Sequence, residues 1–203
     1  MNLNNGIQHL KKSDKLLKEI INQYPAPSIK KSHNYFQSLI KYIIYQQLST
    51  KSASVIYDRF IKSFDTARLT PDHIFSITKE ELKLIGLSRQ KKQYIFLLAE
   101  NWSKTKNKLK NIELLNDDKI AKELMMNKGI GQWTVDMFLI FSLNRPDILP
   151  LNDLVIQKGY AKLTNMDRLP TKDEIKNGAE KWKPYRTLAS LYLWNIIDGP
   201  FEW

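Results

Sequence analysis

Asn127-Lys128-Gly129-Ile130-Gly131-Gln132-Trp133-Thr134 is the stretch on which the reading of the fold turns. It joins two apolar runs with helical spacing: Ile120, Leu124 and Met125 before it, and residues 132–143 after it. A Gly-x-Gly between two helices has two physical uses. One is a plain helix–helix turn with glycine at the C-cap. The other is an anion cradle: glycine lets backbone N–H groups come close to a charged ligand, and the start of the second helix adds unpaired N–H groups and a positive dipole end. Such a cradle takes a phosphate without base preference. On these residues alone both uses stay open.

Outward from the turn, the chain keeps the same character. Leu39, Ile40, Ile43, Ile44 and Leu48 recur at helical spacing, as do Tyr94, Ile95, Leu97 and Leu98. Turn signals fall between such runs, at Tyr24-Pro25-Ala26-Pro27, Thr70-Pro71-Asp72, Ile85-Gly86-Leu87-Ser88, Asn144-Arg145-Pro146, Leu149-Pro150 and Gly199-Pro200. Thr70-Pro71 and Ser88 also read as helix starts. The pattern predicts an all-α protein of eight to ten helices. The Lys/Asn-rich segment 103–110, with Leu109 as its one apolar residue, reads as an exposed connection.

Composition narrows the function classes. The chain has 203 residues, 42% of them apolar, enough for a buried core. No run approaches the roughly 18 apolar residues of a membrane span, and the polar start shows no signal peptide. The absence of cysteine excludes disulfides, thiolate catalysis and iron–sulfur clusters, and fits a cytosolic compartment. His9, His33 and His73 have no ligand spacing, so no metal site is expected. A net charge of +11, from 32 basic and 21 acidic residues, suggests a polyanionic partner, although a Lys- and Asn-rich chain can owe part of that excess to genome composition.

Four motifs, in order, carry a resemblance. Ile43-Ile44-Tyr45-Gln46-Gln47-Leu48-Ser49 is followed by the Gly129-to-Thr134 hairpin, then by Leu149-Pro150-Leu151-Asn152-Asp153, then by Trp182-Lys183-Pro184-Tyr185-Arg186 with Trp194 beyond. Together they resemble the helix–hairpin–helix DNA glycosylase superfamily, in its 3-methyladenine DNA glycosylase II branch, over about residues 35–203. Lys128 stands where the family commonly has Pro, and Asn152 where Gly or Asp is frequent. The length matches the family's compact form, without the extra N-terminal domain of its long members.

The resemblance implies two helical lobes with a DNA-binding cleft: about 47–147 carrying the hairpin, and about 1–46 paired with 148–203. It implies double-stranded damaged DNA as partner and a monomer as the acting species. Asp153 would be the catalytic carboxylate. By position it also reads as an N-cap, and the two roles are compatible, because a helix N-terminus favours the ionised form. Breaking an N-glycosidic bond builds positive charge on the sugar, which a fixed carboxylate stabilises.

The lyase members of the superfamily place a nucleophilic lysine two residues after the second hairpin glycine. Trp133 stands there, so hydrolysis without strand cleavage is expected. Trp133, Trp194 and Met137 would line a base pocket, where aromatic faces attract a cationic alkylated base. Gln47 would be the wedge that fills the gap left by the flipped nucleotide. Lys128, Gly129, Ile130, Gly131, Gln132 and Thr134 would meet DNA at the hairpin, with Arg186 on the opposite lip. Arg89, Lys91 and Lys92 form a basic run that also could face DNA. No cofactor is required; a monovalent cation on hairpin carbonyls is implied by the resemblance only. Uracil, mismatched thymine or hypoxanthine remain open as substrates, as does a non-catalytic helix–hairpin–helix module.

Overall fold

The structure, a computed structural model, describes residues 2–27, 32–64, 66 and 68–199. Pro200 of the last turn signal and Trp203 at the end of the resemblance lie outside them. Among the described residues there are twelve α-helices, two short 3-10 turns and no strand. The all-α expectation holds. The helix count exceeds eight to ten because polar caps divide runs that periodicity alone joins.

In chain order, α1 (Leu3–Ser13) and α2 (Lys15–Gln23) are split by Asp14, whose carboxylate accepts from the Leu16 and Leu17 N–H groups. Then come α3 (Tyr35–Tyr45), α4 (Thr50–Lys62), α5 (Pro71–Ser76), α6 (Lys79–Ile85), α7 (Arg89–Lys108), α8 (Asp117–Met125) and α9 (Gln132–Phe141). The chain ends with α10 (Leu154–Leu163), α11 (Lys172–Gly178) and α12 (Arg186–Asp198). Pro71 opens α5 and Ser88 caps α7, as the turn signals indicate. Thr78 with Glu81 and Thr171 with Glu174 close reciprocal capping boxes at α6 and α11.

These helices form two compact units, Ser32–Phe138 and Met1–Lys31 with Leu139–Trp203. The divisions at 31/32 and 138/139 compare with about 46/47 and 147/148 in the sequence reading. The earlier first division follows from α3. Its Phe36, Leu39, Ile40, Ile43 and Ile44 are buried, and it packs on α4 and α7. Each such side chain contributes about 1.5–3 kcal/mol on burial, so α3 is a core element of the hairpin-bearing unit.

Residues 103–108 are not a connection. They are the end of α7, where Thr105 is buried and donates its hydroxyl to Asn127 Oδ1 at 3.1 Å. Leu109, the helix's C-cap, is buried as well. Two anchoring residues are enough to keep a polar stretch helical against a core.

In the other unit α12 is buried from Thr187 to Ile196, as expected of a helix apolar on nearly all sides. It lies against α10 at backbone distance. A Cβ added at Gly159 would sit 2.5 Å from the Leu193 carbonyl oxygen. This close approach sets the N-terminus of α10 beside Trp194.

Candidate active site and nucleic-acid interface

The hairpin is built by local hydrogen bonds within its own unit. After α8, the Asn127 N–H donates to the Leu124 carbonyl at 3.0 Å, and Ile130 N–H closes the turn on the Asn127 carbonyl at 3.1 Å. Gly129 has φ +92°, and a Cβ there would fall 2.2 Å from the Tyr94 ring. Both backbone conformation and space therefore demand glycine. Gly131 differs: a Cβ there would have no heavy atom within 4 Å. It faces open space at the start of α9, where N–H groups and dipole favour an anion.

Lys128 and Gln132 are exposed on this turn, and Gln132 donates to Asp136 Oδ1 at 2.8 Å. Two of the predicted contacts change character. The Ile130 side chain is buried, leaving its backbone to serve. Thr134 is buried as well, and its hydroxyl accepts from Gln46 Nε2 at 2.8 Å, so it supports the turn from behind.

Gly131→Ala is expected to leave thermal stability within about 0.5 kcal/mol, as for an open site. It should weaken every duplex alike by on the order of tenfold, one charge-assisted hydrogen bond lost. Gel shifts with plain and lesion-bearing duplex check this; a lesion-selective effect would count against a phosphate role.

Gln47 follows the C-cap of α3 and is exposed, with φ +58°. A non-glycine residue in this region costs roughly 1–2 kcal/mol, so the surroundings must hold it. The Leu48 N–H closes the turn on the Tyr45 carbonyl at 3.3 Å, and the approach to it is braced by Lys91. Its Nζ donates to the Ile44 and Gln46 carbonyls at 2.7 and 2.8 Å. Burial pushes this ammonium below the ordinary lysine value. Lys91 therefore caps the end of α3, and of the basic run only the exposed Arg89 and the half-buried Lys92 are left as candidates for DNA.

Asp153 lies in the other unit as the N-cap of α10, 8% exposed. Three donors converge on its Oδ1: the Val155 N–H at 2.8 Å, the Ile156 N–H at 3.0 Å and Trp194 Nε1 at 3.3 Å. The turn carrying it is tied down on both sides. Thr187 Oγ1 donates to the Arg145 carbonyl at 2.6 Å and accepts from the Ile148 N–H at 2.9 Å. Gln157 Nε2 donates to the Leu151 carbonyl at 2.9 Å, and Lys172 bonds the Asn152 side chain.

The remaining sequence-predicted residues differ in depth and in partners. Trp194 is only 2% exposed; it donates to Asp153, and its ring lies 5.7 Å from that of Phe141. Met137 is fully buried in the hairpin-bearing unit and presents no surface to a ligand. Trp133 is half-buried on the first turn of α9, in that same unit. Arg186 forms a two-pronged pair with Asp147, Nε to Oδ1 at 2.8 Å and Nη2 to Oδ2 at 2.9 Å, so its guanidinium braces the loop before Asp153. In this structure that fork is engaged by the Asp147 carboxylate.

The sequence reading missed Gln46, Phe141 and Thr187. The first two sit beside residues it did single out, in the Gln-Gln pair and at the end of the α9 run. Thr187 could have been found as one of the few polar residues on a largely apolar helix, a hydroxyl that the buried backbone must use.

Residues 40–184 match the family described as HhH-GPD superfamily base excision DNA repair protein, and the chain belongs to it. It is 35% identical over 182 residues to DNA-3-methyladenine glycosylase 1 of Schizosaccharomyces pombe, covering 89% of this chain and 79% of that one. The solved structure of the Schizosaccharomyces pombe 3-methyladenine DNA glycosylase Mag1 in complex with abasic DNA superposes with TM-score 0.85 at 32% identity, over 98% of this chain and 100% of that one. A DNA-3-methyladenine glycosidase from Bacillus halodurans gives TM-score 0.77 at 32% identity, over 94% and 88%. Among the described residues, no helix is long and apolar enough to cross a membrane.

Proposed function

We propose that the protein is a monofunctional DNA glycosylase that hydrolyses the N-glycosidic bond of alkylated purines such as 3-methyladenine in duplex DNA. The observation that carries this reading is Asp153, a buried carboxylate whose Oδ1 takes three donors at a helix N-terminus. The hairpin grips a phosphate through backbone N–H groups around Gly131, and Gln47 enters the duplex where the target nucleotide leaves. The C1′–N bond then breaks, and its electron pair neutralises the cationic base. Positive charge develops on the deoxyribose and is stabilised by Asp153. Water adds to C1′, and its proton passes to the carboxylate or to solvent.

A cationic leaving group needs no strong acid, so Asp153 can act without a protonated partner. Trp133 fills the position of the lyase lysine, so no Schiff base forms and the product is an intact abasic strand. No cofactor takes part in this step. The turn at 127–131 offers backbone carbonyl oxygens, the donor type that a hard monovalent cation prefers. The Ile130 carbonyl would help to hold such an ion, which would supply positive charge for a DNA phosphate, while the Asn127 carbonyl already accepts from the Ile130 N–H at 3.1 Å. The Gly129 carbonyl already accepts from Gln46 at 2.8 Å. The acting species is a monomer.

Methylated duplex, assayed for release of 3-methyladenine and 7-methylguanine, tests the proposal. Free base should appear with strands that stay whole until alkali is added. Strand breaks without alkali would remove monofunctionality. Release of uracil or hypoxanthine from a lesion panel, with none from methylated DNA, would change the substrate class.

A further inference from the structure

We infer that Gln46 and Lys91 are positioning residues that lock the Gln47 turn to the phosphate-binding hairpin, so that gripping the backbone and entering the duplex act as one event. This rests on the wedge and hairpin roles proposed above. Gln46 bonds in both directions. Its amide nitrogen donates to the Gly129 carbonyl and to Thr134 Oγ1, each at 2.8 Å. The first of these acceptors fixes the amide orientation, because a carbonyl can only accept. Both protons of the amide are engaged, one on the turn and one on the first turn of α9.

The backbone carbonyl of Gln46 accepts from Lys91 Nζ at 2.8 Å, and the same ammonium takes the Ile44 carbonyl at 2.7 Å. Lys91 thus bridges the last carbonyls of α3 on the near side of Gln47, whose φ is +58°. The helix that carries Lys91 also supplies Tyr94, whose ring occupies the space in front of Gly129. Two DNA-facing elements 83 residues apart therefore share one side chain and one helix as their support. A hairpin displaced by phosphate contact pulls on Gln46, and Gln46 is the residue next to the wedge.

Neither residue reaches DNA in this role. What they set is the energetic coupling between two contacts, which a double-mutant cycle measures. The probe is duplex containing an uncleavable tetrahydrofuran abasic analogue, with plain duplex alongside. In the wild-type background, Gln47→Ala and Gly131→Ala should be coupled at least fivefold in affinity for the analogue. In a Gln46→Met background the coupling should fall below twofold.

Lys91→Met gives a second reading in case Gln46→Met folds poorly. It leaves the bonds from Gln46 to the hairpin in place. Plain-duplex affinity should then stay within twofold, while affinity for the analogue falls at least fivefold. A Gln46→Asn or Lys91→Arg variant that restores part of the coupling would support a positional role over a general loss of stability.

Coupling that persists in the Gln46→Met background, or that is absent from the wild type, would overturn the inference while leaving the glycosylase reading intact. A wild type that binds analogue and plain duplex alike would remove the wedge role and the inference together.

Discussion

Asp153→Asn is expected to lower single-turnover base release by at least on the order of 10²-fold, the usual effect of deleting one electrostatic stabiliser of a transition state. Fold and duplex affinity should stay. Asparagine keeps an oxygen at the Oδ1 position, where it can still accept from the Val155 and Ile156 N–H groups and from Trp194. It is as good an N-cap as aspartate. What it lacks is the negative charge that the proposed mechanism uses against the developing oxocarbenium. Thermal melting, gel shift and base release on the same preparation separate the three quantities. Unchanged release by Asp153→Asn would remove the catalytic assignment. Asp153→Ala is a poorer probe, because it also deletes the cap at a cost of about 0.5–2 kcal/mol.

Gly129→Ala should be the most damaging single-methyl change in the hairpin. The backbone at φ +92° disfavours any L side chain, and the new Cβ would overlap the Tyr94 ring at 2.2 and 2.3 Å. A strained conformation costs roughly 1–2 kcal/mol and overpacking about 1–3 kcal/mol more. Together these predict a fall of about 2–5 kcal/mol, or roughly 4–20 °C in melting temperature for a chain of this size. Tyr94→Ala on the same background should recover part of the steric loss and none of the backbone strain. Two glycines two residues apart thus give opposite signatures: Gly129→Ala is read in stability, Gly131→Ala in binding. Equal melting temperatures for the two variants would contradict the packing described for the turn.

What the sequence made legible was local. The N-cap role of Asp153 could be read because an Asp between a Pro-containing turn and an apolar run is a short-range signal. The hairpin could be read because glycine positions and apolar periodicity are short-range signals. The misplacements come from long-range partners. Arg186 reads as a surface cation until Asp147, 39 residues earlier, is brought beside it. Lys91 reads as part of a charged run until the end of α3 arrives, 45 residues upstream of it. Met137, one turn from Trp133, shares its helix face in projection, yet it is fully buried while Trp133 is half-buried. Periodicity ranks faces of a helix but does not say how deep each turn sits. The Tyr94 ring that makes Gly129 obligatory leaves no trace in the spacing of either residue.

The double use of Asp153 bears on how distant homologues should be read. Its Oδ1 caps α10 as well as standing beside Trp194. A gene released from selection for repair would still be constrained at this codon, because replacements without a short acceptor side chain lose the cap at a cost of about 0.5–2 kcal/mol. Asn, Ser and Thr escape that constraint, and each abolishes the charge. Retention of aspartate in a diverged copy is therefore weak testimony that the copy is active. Its replacement by another capping residue, in an otherwise well-kept helix, marks a lineage that has given up the chemistry and kept the scaffold.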